Sequence, residues 1–173
     1  MAEAATYSAQ EVLRDGRPMD VRALRPDDRD ALIAAIGRTS ADSFYRRFFG
    51  VKHEFTEQQI ASFLNIDFID HVALVAVVEE SARPTIVGGD RYVVVKPGTA
   101  EVAFAIVDEY QGQGIGSALL RHLAIIARSV GLRELIAEVL SENAPMLNVF
   151  KKSGLDLSTK RESGVVHVTL RLV

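Results

Sequence analysis

One stretch limits the architecture of this chain more than any other: Gln111, Gly112, Gln113, Gly114, Ile115, Gly116 and Ser117, alternating glycines set between two patterned segments. Ahead of it, Glu101 to Val107 reads as a strand, with Val102, Phe104 and Ile106 on one face and Glu101, Ala103, Ala105 and Val107 on the other. Behind it, Leu119, Leu120, Leu123 and Ile126 recur at helical spacing until Gly131 stops the helix. Strand, polar link from Asp108, glycine-rich turn and long helix therefore follow in order. Glycine adopts positive φ freely and lets a ligand approach the backbone closely. The unpaired N–H groups of a helix's first turn point outward at the positive end of its dipole. Together these features predict an anion site, and a pyrophosphate suits both. Without a ligand the same residues would form only a tight strand-to-helix connection.

Two familiar phosphate loops do not match. A nucleotide-triphosphatase loop needs Lys followed by Ser or Thr after the glycines, to hold the terminal phosphate and magnesium, and neither is present. A dinucleotide fingerprint accepts Gly112 and Gly114 but meets Ser117 at its third position. The polar link from Asp108 to Gln111 also separates strand from glycine, and too few strand-helix units follow to build that sheet.

The rest of the chain reads as an α/β arrangement. Residues 1–16 are small and polar with little periodicity, which predicts a loose N-terminal arm, and the folded domain is expected over 17–173. Met19, Val21 and Leu24 fit a first strand; Pro26, Asp27 and Asp28 open a helix that Gly37 ends. Ser40 is placed to cap a second helix through Phe49, and Thr56 with Gln59 forms a capping-box pattern ahead of Ile60, Phe63 and Leu64. His71 to Glu79 and Thr85 to Val95 form a hairpin turning at Ala82, Arg83 and Pro84, with Gly88 and Gly89 marking a bulge or a close backbone approach. Leu135 to Leu140 is a further strand, Pro145 to Ser153 a helix ended by Gly154, and Leu155 to Val173 a closing hairpin turning at Glu162, Ser163 and Gly164.

With 173 residues and a net charge of -3, the chain suits one soluble domain, and no second domain is expected. The slight acidity argues against a general nucleic-acid binder, which needs surplus Lys and Arg on one face. The longest apolar run, Val72 to Val78, is far short of a membrane span, and Met1 to Gln10 lacks the order of a signal peptide. No membrane partner is expected. The absence of cysteine excludes disulfides and a thiol nucleophile and fits a cytoplasmic location.

A third phosphate pattern, Gln or Arg, any two residues, Gly, any one, then Gly or Ala, is filled by Gln111, Gly114 and Gly116. It is the acetyl-CoA loop of the GNAT superfamily. Glu101 to Gly154 resembles a GNAT core, and the order of elements from about Met19 onward resembles that fold. Ser43 to Gly50, with Phe44, Tyr45, Arg46, Arg47, Phe48 and Phe49, followed by Asp70 to Val75, is similar to the acetyltransferase domain of bacterial protein lysine acetyltransferases. The resemblance implies a mixed central sheet of about six to seven strands flanked by about four helices. It also implies that backbone groups at Ala105, Ile106 and Val107 pair with the pantetheine arm of acetyl-CoA. Gln111 and the amides of Gly112, Gln113, Gly114, Ile115, Gly116 and Ser117 would hold its pyrophosphate. Asn143 matches a position that often contacts the same co-substrate.

The acceptor amine must shed a proton before it attacks a thioester; for lysine, with a pKa near 10.4, that costs about 4.6 kcal/mol at pH 7. Glu101 is the candidate base. It precedes Val107 by about 20 Å of strand, a span comparable to an extended pantetheine arm. The resemblance adds a general-base glutamate at the matching position, acting through water. Many GNAT enzymes carry a tyrosine that protonates the departing sulfur, and the matching residue is Phe150. A thiolate is a tolerable leaving group, so water or no acid at all is expected to suffice.

His53, His71, His122 and His167 show no pair at metal-ligand spacing, and no metal is assigned. His122 reads as a surface or partly packed helix residue. The Phe44 to Phe49 cluster reads as a packing face, with Arg46 and Arg47 bordering the acceptor region of the resembling fold. The implied partner is a protein bearing an acceptor lysine, an acyl-CoA synthetase among the candidates. A small amine, an N-terminus, or a non-catalytic acetyl-CoA-binding role are the alternatives.

Overall fold

The structure, a computed structural model, describes residues 4–39, 58, 61 and 64–172. Among them stand eight strands, β1 (Ser8–Val12), β2 (Pro18–Ala23), β3 (His71–Glu80), β4 (Arg83–Lys96), β5 (Thr99–Ile106), β6 (Glu134–Leu140), β7 (Asp156–Glu162) and β8 (Val165–Arg171). Three α-helices accompany them, α1 (Arg29–Gly37), α2 (Ile115–Ser129) and α3 (Ala144–Lys151), with 3-10 turns at Pro26–Asp28 and Asp108–Tyr110. One sheet takes all the strands in the order β1-β2-β3-β4-β5-β6-β8-β7. Every neighbouring pair is antiparallel except β5 and β6.

Side-chain chemistry explains the layering. β3 is buried from Val72 to Val78 on both faces, which suits its continuous apolar sequence rather than an alternating one. α2 buries Leu119, Leu120 and Leu123 completely, and it packs on β2, β3, β4 and β5. Fully burying a leucine contributes about 1.5–3 kcal/mol, so this stripe anchors the helix firmly. α1 lies against β4. Its entry is fixed by Asp28, which accepts both guanidinium nitrogens of Arg22 at 2.8 Å and the Arg25 N–H at 2.7 Å.

The β3–β4 register shifts between Ala76 and Val77, paired with Gly88 and Ile86, leaving Val87 as the extra bulge residue. A Cβ on Gly88 would lie 2.9 Å from Ile106 Cδ1, so the close approach expected there is real. The two hairpins turn on residues with positive φ, Ser81 (50°) with Ala82 (64°) and Ser163 (52°) with Gly164 (80°), the geometry that matches the twist of antiparallel strands.

Three expectations are refined. Within the stretch expected as a loose arm, Ser8–Val12 forms the edge strand β1, paired with β2 from Ser8↔Arg22 to Val12↔Pro18, and Leu13 is buried. An edge strand half in contact with solvent carries little apolar alternation, so its polar sequence hid it. β1 brings the strands to eight rather than six or seven, whereas the expectation of about four helices falls in part on residues outside those described. The helix expected from Ser40 to Phe49 and the capping pattern at Thr56 and Gln59 lie outside the described residues. His122, read as a surface or partly packed residue, is packed to the point of burial: Tyr7 from the N-terminal segment and Glu11 from β1 both hydrogen-bond its ring.

Candidate active site

The site begins with a parting of strands. β5 and β6 run side by side only where Thr99, Ala100 and Glu101 face Glu134, Leu135 and Ile136. Beyond that point β6 follows β8 along its whole length, while β5 stays with β4 through Ile106. The flank of β5 from Val102 to Ile106 that turns toward β6 therefore has no strand partner among the described residues. A cleft of about 370 Å³ opens there, walled by Phe104, Ala105 and Ile106, by the glycine loop, and by α3 with its preceding residues. Ile106 C=O accepts the Gln111 side-chain amide at 3.4 Å; the rest of the flank is extended backbone without a strand partner, a template for another extended chain.

At the far end of the cleft the main chain supplies the chemistry. Gly112 and Gly114 sit at φ of 82° and 90°, where a side chain would be strained. The first bond of α2 runs from Ala118 N–H to Gly114 O at 3.1 Å. Among the described residues, the N–H groups of Gly112 through Ser117 have no backbone acceptor. Gly116 serves the packing of helices instead, because a Cβ there would lie 3.1 Å from Val149 Cγ2, and its missing side chain lets α2 and α3 close on each other.

A polar brace holds this loop. Arg38, just past α1, donates to both carboxylate oxygens of Glu80 at 2.9 and 3.0 Å and also to Glu109. Tyr110 donates its hydroxyl to Glu80, and the guanidinium carbons of Arg17 and Arg38 lie 5.1 and 5.8 Å from its ring centre. The Arg38 guanidinium, aided by Tyr110, holds the Glu80 carboxyl below the usual glutamate range. Burial, followed by the Glu80 hydrogen bond, pushes the Tyr110 phenol up.

Glu101 stands where β5 and β6 part, three residues before Phe104 and not itself among the residues lining the cleft, exposed and with no side-chain hydrogen bond or ion pair among the described residues. Arg91 on β4 feels its charge: burial pulls the Arg91 guanidinium down and the Glu101 carboxylate pushes it up. Gly89, Arg91 and Ala105 also line a second, apolar cavity of about 120 Å³ under α1. Phe150 is 1% exposed and packs its ring 5.5 Å from that of Phe104, so no hydroxyl enters the cleft at that position.

The structure brings Ala105, Ile106, Gln111, Gly112, Gly114, Ile115, Gly116, Ser117 and Asn143 together around one cleft. Val107 stands apart, its N–H given to Val87 O at 2.9 Å, and borders the apolar cavity instead. Gln113 offers its carbonyl to Arg14 N–H and turns its side chain away, with Oε1 buried. Asn143 caps α3: Oδ1 accepts the Met146 N–H at 3.3 Å, which leaves the amide's own N–H donors outside the cap. Sequence reading missed Arg14, Tyr110 and Lys152, which also line the cleft. Arg14 sits in a turn with no periodic signal, and only the pairing of β1 with β2 reveals where it goes. Among the described residues no three His, Asp or Glu side chains gather as a metal site.

The profile of the acetyltransferase (GNAT) family matches residues 40–155. An acetyltransferase of Pseudomonas aeruginosa is 34% identical over 137 residues, covering 79% of this chain and 74% of its own length. The acetyltransferase Pat of Mycolicibacterium smegmatis is 31% identical over 158 residues, or 89% of this chain, which spans only 46% of that relative. The crystal structure of the GNAT domain of S. lividans PAT superposes with a TM-score of 0.85 at 35% identity, over 95% of this chain and 96% of that one.

Proposed function

The chain belongs to the GNAT acetyltransferase family, and from that premise we propose that it transfers acetyl from acetyl-CoA to the side-chain amine of a protein lysine, with Glu101 as the base. The observation that carries this reading is the position of Glu101 at the point where β5 and β6 separate, at the opposite end of the opened strand from the glycine loop.

The residues present fit the co-substrate. Consecutive main-chain N–H groups from Gly112 to Ser117, without acceptors among the described residues, suit a diphosphate at a helix N-terminus. The unpaired flank of β5 near Ala105 and Ile106 suits the amides of the pantetheine arm, and the amide donors of Asn143 lie on the same cleft. Bound in this way, the coenzyme supplies an acetyl group activated as a thioester.

The protein's part is to align and deprotonate. An ammonium near pKa 10.4 carries a deficit of about 4.6 kcal/mol at pH 7, and its proton needs a destination. The Glu101 carboxylate is open to solvent, so a water can relay the proton from the amine nitrogen to the carboxylate. The small Ala103 and Ala105 on the same face of β5 leave room for a lysine chain to approach. With Phe150 in place, the sulfur departs as thiolate or takes a proton from water. Protein substrates are supported by the likeness to Pat and to the S. lividans PAT domain. No helix among the described residues is long and apolar enough to cross a membrane.

Purified protein incubated with acetyl-CoA and a mixture of lysine-bearing proteins, followed by mass spectrometry, tests the proposal. Nε-acetyl-lysine should accumulate well above the enzyme-free rate, together with free thiol. Thiol release with free amines only, or with no acceptor at all, would overturn the lysine assignment.

A further inference from the structure

The glycine loop holds a charge problem. Gln111 to Ser117 contains no Lys or Arg, and Asp108 and Glu109 precede it. Main-chain N–H groups and a helix dipole worth roughly half a charge are all the loop itself brings to a heavily anionic coenzyme. Positive charge must come from elsewhere in the fold.

The turn between β1 and β2 delivers it. Leu13 is buried at its root, and the turn closes through Leu13 N–H to Arg17 O and Gly16 N–H to Leu13 O, both 2.9 Å. Arg14 N–H then donates to Gln113 O at 3.3 Å, between the two glycines with positive φ. Arg17 donates to the Tyr110 hydroxyl at 3.2 Å, which ties the same turn to the brace. On the other side, Tyr7 and Glu11 fasten the hairpin to His122 of α2. Arg14 is thus carried to the wall of the cleft by contacts that none of its own side-chain atoms make.

Among the described residues the Arg14 guanidinium makes no hydrogen bond or ion pair, whereas Arg17, Arg22 and Arg38 are each held by a carboxylate. A positioned but unspent guanidinium beside a phosphate loop has the planar fork that matches a phosphate group. The loop's consecutive N–H groups are enough for the diphosphate, which leaves the ribose phosphate as the remaining anion.

Building on the acetyl-CoA reading, we propose that Arg14 binds the ribose 3′-phosphate of the coenzyme, making the N-terminal hairpin part of the site and the protein selective for coenzyme A over its dephospho form. Arg14 lies outside the residues that the family profile matches, so this selectivity belongs to the hairpin and not to the shared core.

Calorimetry with coenzyme A and with dephospho-coenzyme A tests this on the full chain. The parent should bind coenzyme A about tenfold more tightly than the dephospho form, the gain of one charge-assisted contact. R14Q should lose that margin by weakening on coenzyme A alone, with the dephospho form unchanged, and R14K should recover part of it. The exchange keeps the main-chain bond to Gln113, so an unaltered melting temperature is expected. The affinity of the parent for coenzyme A should also fall more steeply with salt than that of R14Q. Equal losses on both ligands would assign Arg14 to the diphosphate, and no loss on either would remove it from the site; each overturns the proposal. A parent that binds neither ligand would instead overturn the acetyl-CoA reading on which it rests.

Discussion

At its C-terminal end β5 runs into a loop whose N–H groups have no backbone acceptor among the described residues, whereas at Glu101 the proposed chemistry would fall to one exposed side chain without a described partner. The loop end is fixed many times over: two glycines at positive φ, the Arg14 N–H bond to Gln113 O, and the Arg38–Glu80–Tyr110 brace all set its path. The Glu101 backbone is fixed by strand register, Val93 on one side and Ile136 on the other, while its side chain is held by nothing described. Binding an anion needs several donors in a rigid frame, while taking one proton through water needs a carboxylate in the right place. Changes at the two ends should therefore separate affinity from turnover.

The largest effect is expected at the sparsely built end. Glu101→Gln keeps size and loses the base, and turnover with a lysine substrate should fall by roughly 10²–10³-fold. The dissociation constant for acetyl-CoA should stay within about twofold, since no loop contact changes. Thiol-release kinetics and calorimetry read the two quantities independently. Parallel losses in both would erase the contrast between the ends.

At the loop end, Gly114→Ala should act through the backbone. No atom lies within 4 Å of the added Cβ, so the cost is the φ of 90°, about 1–2 kcal/mol, plus crowding of the ligand. Acetyl-CoA affinity should drop about tenfold or more, with turnover at saturation largely kept. Gly116→Ala sharpens the comparison from within the same loop. Its Cβ would meet Val149 at 3.1 Å, so stability should fall by about 1–2 kcal/mol in a denaturant titration while affinity changes less than at Gly114. If Gly116→Ala weakens the coenzyme more than Gly114→Ala does, the division of labour between the glycines is wrong.

The same contrast explains what the sequence discloses. Glycine alternation between a period-2 strand and a period-3.6 helix is a local pattern, so Gly112, Gly114 and α2 could be read directly. Local pattern also found β5, β6 and both hairpins to within a few residues. The parting of β5 from β6 is a tertiary fact: Ile136 gives no sign that it is the last residue to face β5. Without the resemblance to a known family, Glu101 would be one more strand-end glutamate. β1 escaped notice because an edge strand with alternating half-exposed polar residues has no apolar signature. Arg14 and Tyr110 join the cleft only through contacts across many residues of chain, as in the bond from Arg17 to Tyr110.

The smallest effect tests whether the brace, rather than the glycines alone, makes the loop end rigid. Glu80 sits below the usual glutamate range because Arg38, and then Tyr110, donate to its charged form. A carboxyl depressed by folding contributes stability above its unfolded pKa of about 4.3, and that contribution disappears as pH falls through the lower folded value. The group is partly exposed, so solvent screening keeps the contribution under about 1 kcal/mol. Urea titrations of the parent and of Glu80→Gln should therefore differ at pH 7 and converge toward pH 3. Coenzyme affinity at pH 7 should weaken only a few-fold in the variant, because the glycines still hold the N–H groups in place. A stability gap that stayed constant with pH would show that Arg38 and Glu80 contribute by packing, not by charge, and that the loop end owes its rigidity to its backbone.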